Sequence, residues 1–403
     1  MDSINIVWMG VCTMMVFFMQ AGFALVECGM ARAKNAVNVI LKNYTDMCVG
    51  AIAFWIVGYG LMFGTSGGGW IGTSLFWPDK LDSSAAMTLF FQLMFAATSA
   101  TIVSGAVAER MHFSAYLVAS IAMTALIYPV FGHWAWNPNG WLKQLGFVDF
   151  AGGSVVHSVG AWCSLAGVIA LGSRLGRFGK DGGARDIPGH NLPMVTLGAF
   201  ILWLGWFGFN GGSVGDVSKA NVGLVLLNTP LGGCSGAVGA LLFLKLTRRP
   251  VLMTTIINAS LCGLVSVTAG ASTMTPMTAT FTGLVGGALC IMGAEMLRRF
   301  KLDDMVDATA VHGMGGIWGT LAAGLFYAGD MFSSQRVAVQ ALGVVACFAW
   351  AFPLSFVMFK MLERTLGIRA SSLHEQRGLD YTEHFELGYP EFQKSPAQLK
   401  MEA

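Results

Sequence analysis

The sequence predicts an all-α integral membrane protein with eleven transmembrane helices, arranged as an inverted 5+5 repeat plus one extra helix. Three observations predict it. Charge is scarce: 11% of the 403 residues are charged and 55% are hydrophobic, where soluble domains carry about 25% charged residues. Apolar runs long enough to cross a bilayer, about 20 residues each, recur evenly along the chain. A histidine falls in each of two spans, the fifth and the tenth, that hold corresponding places in the two halves.

The apolar runs are residues 5–27, 36–64, 86–108, 113–133, 152–172, 193–214, 221–246, 251–271, 276–297, 307–328 and 336–361. They are read as helices because lipid offers no partner for backbone N–H and C=O groups. Barrel strands would alternate in segments of about ten residues. Met1 to Glu27 has no basic stretch before its apolar run, so it reads as a retained first span and not a cleaved signal. Residues 1–361 thus form a transmembrane domain and residues 362–403 a polar, charged tail.

Lys and Arg set the orientation. Loops and flanks after odd-numbered spans hold Arg32, Lys34, Arg110, Arg174, Arg177, Lys180, Arg185, Lys245, Arg248, Arg249, Arg298, Arg299 and Lys301, thirteen in all, against four (Lys80, Lys143, Lys219, Arg336) after even-numbered spans. The odd loops and the tail are expected in the cytoplasm and the N-terminus outside, in a plasma or inner membrane. Spans 1–5 and 6–10 then run in opposite senses, a layout that places a shared site near the midplane.

Several classes are excluded on composition. A net charge of +2 with no basic tract gives no footprint for nucleic acid. The eight cysteines form no CxxC pair and read as buried thiols in apolar segments. No nucleophile–base pair or phosphate-binding loop argues for an enzyme, and no cofactor is implied.

Ionisable groups inside a span cost about 2.5–3.5 kcal/mol or more, so those that remain are informative. The fifth span reads Asp149-Phe-Ala-Gly-Gly-Ser-Val-Val-His157 and the tenth Asp307-Ala-Thr-Ala-Val-His312. A lone histidine would be a packing residue; two at matching places form a site. A metal is not expected, since two imidazoles without a third ligand leave it under-coordinated. Asp149 and Asp307 start their helices, where a carboxylate caps free amides. The many glycines let helices approach closely. Aromatic residues cluster toward the outer side: Phe91 and Phe95 one turn apart, Trp206, Phe207 and Phe209 beside Ser213, and Trp136 in the loop before span 5. They form either an interfacial belt or a cage that holds a cation on ring faces.

These residues resemble the ammonium transporters (the Amt/Mep/Rh family), specifically the Amt branch. The resemblance rests on the Asp149-to-His157 segment, Gly205-Trp-Phe-Gly-Phe-Asn210, Ala108-Glu109-Arg110, His190-Asn191-Leu192-Pro193, Val311-His312-Gly313 and Gly378-Leu379-Asp380, and covers nearly the whole chain. It implies ammonium or ammonia, with methylammonium as a further substrate, moved by a homotrimer with one pore per subunit. It makes His157 and His312 the pore pair and Phe95 and Phe209 an occluding gate. Phe91, Trp136 and Ser213 become an outer ammonium site with the essential Asp149, and Trp206 and Asp307 support it. The loop between Trp136 and Asp149 is one residue longer than the bacterial pattern, so Trp134 and Trp141 stand as alternatives to Trp136. A PII-type regulatory protein on the cytoplasmic face is also implied. The expected activity is electrogenic uptake in which ammonium is deprotonated at the outer side. The alternatives are an ammonium sensor signalling through its tail with little flux and a Rh-like channel for neutral gas.

Overall fold

The computed structural model describes residues 1–391. Helices occupy every predicted run: α1 (Ser3–Met30), α2 (Ala36–Ala53, continued through Phe54–Gly58 into Tyr59–Phe63), α3 (Ser83–Val107), α4 (Phe113–Ala122, continued through Met123–Ile127 into Tyr128–Trp136), α5 (Gly153–Ser158 into Val159–Leu171), α6 (Leu192–Gly212), α7 (Val222–Leu246), α8 (Met253–Thr268), α9 (Pro276–Arg299), α10 (Thr309–Met314 into Gly315–Leu325) and α11 (Ser334–Thr365). Among the described residues nine helices are long and apolar enough to cross a membrane, and Met253–Thr268 is a shorter apolar helix. A two-stranded ribbon, Ser66–Gly67 against Ile71–Gly72, interrupts the helical pattern after α2.

The ends are set by local chemistry. Asp2 caps α1 by accepting from Asn5 N at 2.9 Å, and α11 runs past the apolar stretch to Thr365. At the start of α6, Asn191 Oδ1 accepts from Met194 N at 3.0 Å, with Pro193 in the first turn. His190 holds this corner to Ala31 O at 2.8 Å and to the Tyr389 hydroxyl at 2.8 Å.

The two halves meet along α1 and α6. A Cβ on Gly22 would lie 3.0 Å from Gly198 O, and one on Gly198 would lie 2.7 Å from Gly22 O. Only hydrogen fits at both crossings, so the backbones touch. Six of the cysteines are buried; Cys48 and Cys234 are exposed on the outside of the bundle, and all eight are free.

The loops at residues 31–35, 108–112, 172–191 and 300–308 share one end of the bundle, here called the basic end. A buried ion cluster ties them together. Glu109, fully buried, pairs with Arg32 at 3.0 Å and Arg174 at 2.8 Å; Asp303 pairs with Arg174 at 2.8 Å and Arg177 at 3.2 Å. Arg110 is spent on backbone carbonyls, donating to Gly172 O at 2.8 Å and Ala108 O at 3.1 Å.

The segment after α11 folds onto that end. It contains two short helices, α12 (Ser372–Arg377) and α13 (Leu379–His384). Asp380 accepts from Asn38 N at 2.8 Å, in the first turn of α2, and Glu383 accepts from Phe113 N at 2.8 Å, at the start of α4. Lys34 donates to the carbonyls of Glu375 at 2.8 Å and Gln376 at 2.6 Å. Gly378 has φ +102°, and a Cβ there would lie 2.5 Å from Lys34 O. Residues 392–403 of the predicted tail lie outside the described residues.

Candidate functional site

The site is built on the amino ends of α5 and α10. Both begin in a widened π turn, and each turn carries a histidine. Such turns insert one residue into the helical repeat and recur at functional sites. Here they present the two imidazoles to each other: His157 Nδ1 and His312 Nδ1 are 3.1 Å apart, with ring centroids 5.1 Å apart at 17°. α5 and α10 also cross closely. Ser154 Oγ and Thr320 Oγ1 are 2.7 Å apart, and a Cβ on Gly316 would lie 2.6 Å from Gly153 O.

An aspartate fixes each turn. Asp149 Oδ1 accepts from Gly152 N at 3.0 Å and Gly153 N at 2.7 Å, and its Oδ2 from Ser154 N at 2.9 Å and Val155 N at 2.8 Å. Gly152, at φ +101°, makes the bend that folds the amides onto the carboxylate. Four charge-assisted bonds occupy both oxygens. Asp149 therefore reaches the site through the helix it anchors and through its charge. In α10 the cap is Asp304, accepting from Ala308 N at 3.0 Å and Thr309 N at 2.7 Å. This corrects the expectation for Asp307, whose carboxylate instead faces Arg298 at 3.4 Å and whose backbone is left-handed at φ +59°. Asp149 and Asp304 each stand eight residues before their histidine.

A column of rings leads from the opposite end of the bundle to the histidines. Phe91 and Phe95 have centroids 4.5 Å apart, Phe95 stacks on Phe209 at 4.0 Å and 11°, and Phe209 lies 5.3 Å from His157. Trp206 also stacks on His157 at 5.1 Å, 5.9 Å from Phe209, its Nε1 held by Thr268 Oγ1 at 2.9 Å. Trp136 stands 6.0 Å from Phe95 and donates to Asp149 O at 2.6 Å. Trp134 and Trp141 pack instead on Trp70, in a separate cluster. Phe91 covers Gly212, where a Cβ would meet its ring at 2.5 Å, and Ser213 follows, its hydroxyl donating to Phe209 O at 2.9 Å. The structure thus brings Phe91, Trp136 and Ser213 around the approach to Phe95.

A bond between two Nδ1 atoms needs one donor and one acceptor. One imidazole therefore carries its proton on the bridge and the other carries its proton on Nε2. A second proton on the bridge would set two N–H groups against each other. His157 Nε2 is buried without a hydrogen-bond partner among the described residues; such an atom costs about 1–3 kcal/mol. Trp206 and Phe209 stack beside this ring. Among the described residues no three His, Cys, Asp or Glu side chains converge as metal ligands.

Beyond His312 a cavity of about 30 Å³ is lined by Phe23, Val26, Glu27, Ile102, Asn258 and Val306. Asn258 and Val306 also line a wider cavity of about 420 Å³, where Arg174, Arg177, Arg298, Asp186, Asp304 and Asp307 gather. The site thus continues toward the basic end.

Buried ionisable residues inside or at the edge of the predicted spans that sequence reasoning missed include Glu27, Lys42, Asp46 and His133. Glu27 accepts from Asn43 Nδ2 at 2.8 Å, Lys42 donates to Met111 O at 2.6 Å, and Asp46 accepts from Thr101 Oγ1 at 3.1 Å and from the Tyr116 hydroxyl. For Lys42 and Asp46 the signal that finds them is the one that found His157 and His312, a charge within an apolar run.

Comparison with known proteins closes on one group. The model of the Ammonium Transporter Family matches residues 7–389. Ammonium transporter Amt2 of Archaeoglobus fulgidus is 40% identical over 99% of this chain and 91% of its own length. A solved structure named Sensor Amt Protein superposes with a TM-score of 0.91 at 41% identity, covering 94% of this chain and 98% of its own. Candida albicans Mep2 superposes with a TM-score of 0.87 at 26% identity, covering 99% and 94%.

Proposed function

The chain belongs to the ammonium transporter family, and on that premise we propose that it moves ammonium across its membrane through a pore in which His157 and His312 relay the proton. The observation that carries this reading is the bridged imidazole pair, Nδ1 to Nδ1 at 3.1 Å, behind the stacked Phe95 and Phe209.

Taking a bare cation through a dry passage costs a desolvation energy of order tens of kcal/mol in the Born limit. Removing the proton avoids most of it. The rings of Phe91 and Trp136 and the lone pairs of Ser213 attract the cation, an interaction of about 0.5–2 kcal/mol per ring. Asp149 adds its negative charge beneath them. Phe95 and Phe209 exclude water and hydrated ions. Neutral ammonia then passes the imidazoles, and the proton follows along their shared bond. Net positive charge moves inward, gaining about 2.3 kcal/mol per charge per 100 mV. Histidine suits the relay because one ring nitrogen accepts a proton while the other donates one. The same reading places the basic end and the tail in the cytoplasm of a homotrimer in the plasma or inner membrane, with a PII-type regulator on that face.

Uptake by reconstituted vesicles tests the reading. Wild-type protein is expected to take up ammonium and to reject potassium, and the double variant His157→Ala, His312→Ala to lose that discrimination. Unchanged discrimination in the double variant would defeat the relay.

A second reading, a sensor with little flux, is favoured by the docking of Asp380 and Glu383 on the first turns of α2 and α4 and by the name of the neighbour at 41% identity. The same flux measurement separates the two: a sensor leaves ammonium uptake at the rate of empty vesicles.

A further inference from the structure

Glu27 is not accounted for by the relay, although it lies directly on the pathway. It sits near the end of α1, is 2% exposed, and lines the cavity on the far side of His312 together with Phe23, Val26, Asn258 and Val306. That cavity of about 30 Å³ exceeds the roughly 10–15 Å³ that one small polar molecule needs. The carboxylate is held, not loose: Asn43 Nδ2 donates to Oε2 at 2.8 Å. Gly105 leaves room for it, since a Cβ there would lie 3.1 Å from Glu27 Cδ. Among the described residues it has no salt-bridge partner. Lys42, the nearest cation on α2, is spent on Met111 O at 2.6 Å. Across the cavity, Asn258 donates its amide to Val306 O at 2.9 Å, which turns its side-chain carbonyl away from that bond. A largely apolar chamber thus holds one carboxyl group and one amide beside the His312 imidazole, before the wide mouth.

We propose that Glu27 is the inner acid–base group of the pathway, returning to ammonia, in the cavity between His312 and Asn258, the proton that the histidine pair relays. This rests on the transport reading above. The cycle balances. The Glu27 carboxylate takes the proton leaving His312 and becomes a carboxylic acid. The acid gives that proton to the nitrogen lone pair of ammonia, which leaves as ammonium, and the carboxylate is restored. No other reactant is consumed. Re-protonation before the mouth also traps the substrate, because the cation does not re-enter the apolar passage between the imidazoles. The charged and titratable groups that face Glu27 are Lys42 and Asp46 on α2, the latter held by Tyr116 of α4, and His312 on α10; Ser104 on α3 is the polar neighbour.

The test uses the full chain reconstituted in vesicles on a solid support, with ammonium as the probe and the inside pH varied. Wild type is expected to carry an ammonium-evoked current that depends on inside pH. Glu27→Gln should lower it by about a hundredfold, the low end of a lost acid–base group, and flatten the dependence on inside pH. Glu27→Asp should keep a current with a displaced inside-pH midpoint. A folded Glu27→Gln that keeps the wild-type inside-pH profile, whatever its amplitude, overturns the proposal. If Glu27→Gln does not fold, Glu27→Asp decides: an undisplaced midpoint overturns it and a displaced one supports it. Absence of both current and uptake in wild type would remove the transport reading itself, a failure distinct from an unchanged Glu27 variant.

Discussion

At the residue scale, two aspartates do equivalent work at equivalent places. Asp149 and Asp304 gather the free amides at the starts of α5 and α10 and so aim the histidine that follows. A side-chain cap is worth about 0.5–2 kcal/mol. Asp304→Ala is expected to cost about that much, and Asp307→Ala, which removes only a long contact to a half-exposed arginine, to stay within about 0.5 kcal/mol. Thermal unfolding of the purified variants checks the order; equal losses would count against it. The histidines were legible in the sequence because an ionisable group stands out in an apolar run. Asp304 was not, because three aspartates crowd residues 303–307 and only the backbone decides which one turns inward. Asp303 goes to Arg174, Asp307 toward Arg298, and Asp304 to the amides. Glu27 was hidden for another reason: it ends its apolar run, where a charge reads as the boundary with water.

At the element scale, the ion cluster and the tail hold the basic end. Glu109 shows what sets its strength. Burial alone would raise its carboxyl, but Arg174 and Arg32 outweigh this and bring it from 4.5 to about 2. A carboxylate held below its unfolded value stabilises fully above that value, and this is lost as pH falls through the folded one. The detergent-solubilised protein should therefore lose melting temperature as pH falls from about 4.5 to 2. Glu109→Gln should weaken that decline while costing about 3 kcal/mol near neutrality, the lower end for breaking a buried pair, since Asp303 still holds Arg174. An undiminished acid decline in the variant would place its origin elsewhere. The tail acts differently, by lending carboxylates to the starts of α2 and α4. Asp380→Ala is expected to speed amide exchange at residues 36–38 and 379–384 together, read by hydrogen exchange. Faster exchange in the tail alone would mean that the two are not coupled. Gly378-Leu379-Asp380 was visible as a motif, but its physical reason, a left-handed glycine under the Lys34 carbonyl, needed the fold.

At the scale of the whole molecule, composition and run length placed helices in every predicted segment, because lipid leaves the backbone few alternatives. They did not foretell the π turns at Gly153–Ser158 and Thr309–Met314, which touch each other where α5 and α10 meet. Nor did they choose among three tryptophans, which took the ring geometry around Phe95. In the proposed mechanism ammonia and its proton cross together. Ammonium-evoked current across a supported membrane tests it most directly. Wild type is expected to carry an inward positive current that grows with inside-negative potential and loses its preference for ammonium over potassium when His157 and His312 are both replaced by alanine. Ammonium uptake without any current in active protein would contradict it.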